Sequence, residues 1–452
     1  EFRRVLFRST NCNWTTTWND TVAKSVLTDT PSTVPGVGLI WKSTSPGTPF
    51  NLSNLGRPLT TTVVVDSTFD GVLYDDISYN MTAVIDRSQP FFLAPGNTGT
   101  GINWNGNGNS IRVSSTNWIG LFPCAVNVYN LRVEPLPQSV SATDAGWLFQ
   151  RAIGGTATDC SNIGSSASTG LGGGGIFGAA STGTAINCYS TNTIGEQGGG
   201  IFGRNCTGSA TNCHSTGDSS QYGGGIYGEG SAGRATTCYS TGSIGRGGGG
   251  IFERRTSGKA ITCYSTGAIG IQAGGIFGGS SYSDASATYC YSTGVMGEMS
   301  GGIYGPVSGG SATNCYRTGS IVKSGGGIFA SSCTGSATTC YFSGTIGQGA
   351  GGIFGDSSTG TATNCYSIAE TLGSEAGGIF GSYARTVTAR NCYSVVPTVS
   401  RATAIFGANP QSTASTITCV DNSVWTDSVA ISVLTGFPAV SPGTGSSWVS
   451  TS

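Results

Sequence analysis

Apolar positions recur along this chain with a period far longer than that of a helix or a simple strand. The core Gly-Ile-Phe/Tyr returns with its aromatic at Phe177, Phe202, Tyr227, Phe252, Phe277, Tyr304, Phe329, Phe354 and Phe380. Phe406 closes the series with Ala404 in place of the glycine, and Trp147-Leu148-Phe149 opens it in degenerate form. Successive aromatics lie 25 to 28 residues apart. In phase with them run Cys160, Cys188, Cys213, Cys238, Cys263, Cys290, Cys315, Cys340, Cys365, Cys392 and Cys419, set in Ala-Thr-Asn-Cys-Tyr-Ser-Thr-Gly or close variants. A third, weaker apolar position holds Ile194, Ile244, Ile269, Met296, Ile321, Ile346 and Leu372. Each period thus contains three short β-like runs separated by Gly or Ser/Thr/Gly turns, and glycine is too dense for helix. A fixed period of this size means a stacked solenoid. The predicted fold is all-β, a parallel β-helix with three short strands per coil of about 25 residues, right-handed by the crossover rule.

Stacked coils place identical side chains in ladders about 4.8 Å apart. Ile and Phe of the glycine motif are consecutive, so an ideal strand points them to opposite faces. Either a bend turns both inward, or one stripe lies outside and contacts another chain or the N-terminal segment. The cysteine ladder reads as buried, inert thiols. Yet Arg390 and Arg317, two before and two after ladder cysteines, share their face in an ideal strand, and neighbouring coils bring Cα atoms within disulfide reach.

Residues 1–60 are Pro/Thr/Ser-rich and read as an N-terminal extended arm or small β cap; their first ten look like a scar or a processed start. Residues 61–145 alternate apolar β runs with Gly-aliphatic-Phe runs at irregular spacing and are predicted to be the opening coils. Residues 146–407 form the regular repeat, and 408–452 the last coil with a C-terminal cap.

The chain carries 21 basic and 22 acidic residues among 452, for a net charge of −1. That balance gives no electrostatic case for nucleic acid or an anionic membrane, and no apolar run is long enough to span a bilayer. Fifteen cysteines include four off the ladder: Cys12, Cys124, Cys206 and Cys333. Candidate disulfides are Cys12–Cys124, Cys206–Cys213 and Cys333–Cys340, the last two closing near-identical local loops. Sequons place candidate N-glycosylation at Asn13, Asn19, Asn51, Asn80 and Asn205. Thr191, Thr216, Thr241, Thr266, Thr293 and Thr318 recur in register; they are solvated turns, an O-glycosylated row, or a flat ice- or glycan-binding face.

Gly-Gly-Ile-Phe-Gly followed by Ala-Thr-Asn-Cys-Tyr-Ser-Thr-Gly resembles the GLUG-type repeats of bacterial adhesins and other large surface proteins. Asn105-Gly-Asn-Gly-Asn-Ser-Ile-Arg-Val113 followed by Gly120-Leu-Phe122 resembles the opening coils of parallel β-helix surface proteins. The resemblance spans about residues 146–407 and implies a secreted, surface-attached or appendage-forming protein. Ile-Phe stands where that motif usually has Leu-Val, and no catalytic residue transfers.

Little chemistry rises above this background. G-x-G-x-x-G at Gly173, Gly175 and Gly178 recurs with the repeat and precedes no helix, so it marks turns rather than a phosphate loop. The single histidine, His214, replaces a ladder tyrosine. Asp284, Asp356, Glu253, Arg254 and Arg255 occur singly or on turns, and Asp75-Asp76 with Asp86-Arg87 is the only denser group. We therefore expect no enzyme, cofactor or metal site. The expected role is an extracellular structural protein, a rod-like subunit of a glycosylated cell-surface filament with self-association and covalent glycans. An adhesin or glycan-binding stalk is the alternative, and a polysaccharide-active β-helix enzyme is less favoured.

Overall fold

The computed structural model describes residues 61–137, 139–164, 168–390, 392–395 and 405–407, together with a short antiparallel pair, Val424–Trp425 with Trp448–Val449. Among the described residues there is no helix, and they wind as a parallel β-solenoid of about twelve turns. The arm expected over residues 1–60, most of the 408–452 cap, Cys12 and Cys419 lie outside the described residues.

Two long parallel sheets run the length of the rod. The first has fourteen strands, from Thr62–Val65 and Ser78–Met81 through Thr184–Ile186 and Ser209–Thr211 to Thr388–Arg390. The second has thirteen, from Ile85–Arg87 through Tyr189–Ser190 to Tyr393–Val395. Equivalent residues of successive coils pair: Ala185 pairs Ala210, Ala210 pairs Ala235, and Tyr239 pairs Tyr264. Longer coils do not break the ladders: the two residues added between Phe277 and Tyr304 leave Lys259 paired with Ser286, and the one added between Phe354 and Phe380 forms a bulge, where Gly344 pairs Ala369 but Ile346 pairs Leu372. The third side is not a strand. It is a series of single bridges, Gly199 to Gly224 and Phe202 to Tyr227 among them.

That third side settles the Ile-Phe question. Ile201 N–H and Phe202 N–H both donate to the carbonyl of Ile226 in the next coil, at 3.1 and 2.9 Å. Two consecutive amides aimed at one acceptor force a bend, and both side chains turn inward; Ile201 and Phe202 are fully buried. No apolar stripe of this motif is left outside. Glycine is required here by contact: a Cβ on Gly199 would overlap the carbonyl oxygen of Phe202, and one on Gly200 that of Gly225.

The core is therefore layered. The motif aromatics stack from Phe149 to Phe406 with centroids 4.5 to 5.7 Å apart. Tyrosine enters this stack only with its hydroxyl satisfied: Tyr227 donates to Gly208 and Arg234 carbonyls, Tyr304 to that of Ser311. The weak third position is buried too, and Ile244, Ile269, Met296, Ile321 and Ile346 form a second small core. In the opening coils larger rings fill the interior, with Trp104 packed on Tyr79, Phe91 and Phe122, and Trp118 Nε1 donating to the Trp147 carbonyl.

Candidate functional surfaces

A left-handed residue decides which side chains face out. Asn187, Asn212, Thr237, Thr262, Tyr289, Asn314, Thr339 and Asn364 all sit near φ +50 at the corner between the two sheets. The corner consumes one residue and resets the alternation. In Ala210-Thr-Asn-Cys-His-Ser-Thr216, Ala210, Cys213 and Ser215 face in, whereas Thr211, His214 and Thr216 face out. Cys213 is thus inside although Thr211, two residues earlier, is outside. The same rule separates the two arginines. Arg390 lies before the corner and is exposed. Arg317 lies after it and is buried, taking the place of the inward serines. Its guanidinium donates to the carbonyls of Gly294 and Ser320, and burial lowers it to about 10.

The ladder cysteines from Cys160 to Cys392 are buried and free. Their thiols lie over backbone: Cys238 Sγ donates to the Ala210 carbonyl and Cys263 to that of Ala235. The expected bridges Cys206–Cys213 and Cys333–Cys340 do not form. Cys206 and Cys333 belong to a different inward row, that of Ser181, Ser231 and Ser358, with their thiols on the carbonyls of Gly178 and Gly305. Burial pushes both up to about 12, far from the reactive thiolate range. Cys124 is also free, and its candidate partner Cys12 is outside the described residues.

Of the sequon asparagines, Asn13, Asn19 and Asn51 lie outside the described residues. Asn205 is exposed on a turn at φ +56. Asn80 lies half-buried on the outer face of the first sheet, within Ser78–Met81. Thr216, Thr241, Thr266 and Thr293 are exposed, with Thr191 and Thr318 half-covered, so the threonine row does face solvent. Beside it runs a ring ladder, half-buried from Tyr189 through His214, Tyr239, Tyr264 and Tyr291 to Tyr316 and buried at Tyr341 and Tyr366, with centroids 4.7 to 5.0 Å apart. Because each ring covers the face of the next, the ladder offers edges and hydroxyls rather than open faces. His214 fits between Tyr189 and Tyr239, and partial burial lowers its pKa.

Charged groups converge at one corner, which the linear pattern did not reveal. Arg204 Nε meets Asp144 at 2.6 Å, and that hydrogen bond raises the guanidinium pKa. Two coils further, Arg254 Nε lies 3.3 Å from both Glu229 and Glu253 and its guanidinium stacks 3.9 Å over Tyr222. The spacing was the available signal, because positions 204, 229 and 254 each lie two residues after a motif aromatic. Glu253 replaces the glycine of neighbouring coils and is wholly buried, and burial, reinforced by Glu229, pushes it up to about 9. It holds its proton at neutral pH but has no access to a substrate. The Asp75 group is also architectural. Although burial opposes ionisation, amide donation from Thr98, Gly99 and Thr100 holds Asp75 below the usual carboxylate range. Arg87 packs over Phe91 and donates to the Gln89 and Pro90 carbonyls. A shallow cleft of about 420 Å³ is lined by Ser88, Gln89, Ser114, Ser115, Thr116, Pro137 and Ser139, with no titratable group among them.

No family model matches the chain, and no curated protein is similar to it. Among solved structures, a candidate immunoglobulin A1 protease from Bacteroides ovatus aligns at 17% identity over 68% of this chain and 78% of its own, with a TM-score of 0.16. At that score nothing about activity transfers.

Proposed function

We propose that the chain is an extracellular structural rod, the β-solenoid subunit of a glycosylated cell-surface filament related to GLUG-type repeat proteins. The supporting observation is the continuous strand order of both sheets over the described coils, with one bulge in the second sheet at Gly344–Ile346. Their backbone hydrogen bonds run along the axis, so the body is stiff and its stability is close to a sum of coil-to-coil terms. The charged clusters are spent on internal pairing, and the outer faces carry hydroxyls. Such a body suits a spacer better than an enzyme, and the role assigned here uses no catalytic residue. Filaments would form by heterologous contacts, which propagate without closing. Exposed Asn205 and the outward threonine row are the glycan attachment sites of this reading.

Electron microscopy of natively purified material tests it. Ordered filaments with one chain per axial repeat are expected. Dispersed single rods would remove the filament claim and favour a surface-attached binding stalk.

A further inference from the structure

The outer face of the first sheet has a charge pattern that the chain as a whole lacks. Its fourteen strands contain no aspartate or glutamate. Its charged outward residues are Arg234, Lys259 and Arg390, all cationic and exposed. This occurs in a chain whose acidic and basic residues are nearly equal in number.

Arg234 and Lys259 are direct cross-strand partners. Like charges opposite one another on a sheet are destabilising. Among the described residues neither forms an ion pair with a carboxylate, in contrast to Arg204 and Arg254. The acid nearest in register, Asp284, lies two residues before Ser286, the partner of Lys259, and makes no such pair. In the adjoining strands the same rank holds hydroxyls, Ser209 on one side and Ser286 and Ser311 on the other. The parallel rank two residues on holds Thr211, Thr236, Ile261, Thr288 and Thr313, so its hydroxyls flank a single isoleucine beside Lys259. From Ser209 to Ser311 this strip covers four strand spacings, roughly 19 Å.

We propose that this strip is a binding surface for a carboxylated polysaccharide, lying along the rod axis with acidic groups on Arg234 and Lys259 and its hydroxyls on the flanking Ser and Thr ranks. Charge complementarity selects the occupant. Two adjacent cations suit a polymer of modest charge density, whereas duplex nucleic acid presents a charge about every 1.7 Å and requires many contacts. The planar guanidinium of Arg234 matches a carboxylate in two-point geometry. The surface acts whether or not the chain assembles, so it stands apart from the filament reading.

The test is binding of the full chain to immobilised polygalacturonate at about 0.15 M salt, with dextran, dextran sulfate and duplex DNA as comparators. The variants are Arg234→Ser/Lys259→Ser, which restores the serine of neighbouring coils, and Arg234→Gln/Lys259→Gln, which keeps the side-chain length. Arg246→Ser, on a turn away from this face, is the control. We expect both double variants to bind polygalacturonate at least tenfold more weakly while circular dichroism and the control are unchanged. Wild-type retention by either folded double variant, or wild-type binding no tighter to polygalacturonate than to dextran, would overturn the site. Equal or tighter binding of dextran sulfate or DNA would overturn the choice of a carboxylated polymer. Filaments in micrographs without binding would separate failure here from failure of the rod assignment.

Discussion

Replacing Glu253 with glycine should stabilise the rod in a pH-dependent way. Glu253 occupies a position that is glycine in the coils on either side, Gly228 and Gly278, and its carboxyl is buried with a pKa near 9. In the unfolded chain a glutamate titrates near 4.3. Between those values the folded state keeps a proton that the unfolded state releases, so stability falls as pH rises. The slope is about 1.4 kcal/mol per pH unit, and the whole interval amounts to at most about 6 kcal/mol. Below pH 4 the term vanishes, and above 9 it is fully spent. Coil stabilities add along a solenoid, so the loss should be local. Amide hydrogen exchange from pH 5 to 8, corrected for intrinsic rates, should show protection of coils 227–280 declining with pH in the wild type and much less in Glu253→Gly. Denaturant midpoints over the same range should diverge in the same sense. Parallel pH profiles for the two proteins would refute a neutral, buried Glu253.

Phe277→Ala removes one ring from the continuous stack and should cost about 3–5 kcal/mol, read as a lowered denaturant midpoint with protection lost chiefly in the adjoining coils. Gly200→Val meets the Gly225 carbonyl and should lower the melting temperature sharply, whereas exposed Thr216→Val should stay within about 0.5 kcal/mol of wild type in a denaturant titration. Ladder thiols should resist a thiol reagent in native buffer, and Cys206, Cys213, Cys333 and Cys340 should all react in denaturant without reductant; peptides of unreacted, bridged cysteine in a mass spectrum would contradict the free-thiol geometry.

The repeat alone was enough to determine the solenoid, because any sequence returning every 25 residues or so with glycine turns and no helical period must stack like on like. That register also brought the cysteines and the threonines each into one row, but which row faces in was set by the left-handed corner. Three features were decided only by the tertiary structure. The inward turn of both Ile201 and Phe202 depends on two amides sharing the Ile226 carbonyl, a geometry that alternation along an ideal strand does not contain. The opposite fates of Arg317 and Arg390 depend on a left-handed corner residue that resets which face comes next. The pairing of Arg254 with Glu229, the isolation of Arg234 beside Lys259, and the separation of Cys206 from Cys213 depend on which row each side chain joins across coils. Local sequence spacing sets the pitch of such a rod, but contacts between residues a full turn apart set its charge map, because in a solenoid the nearest neighbour of a side chain is the equivalent residue of the next coil.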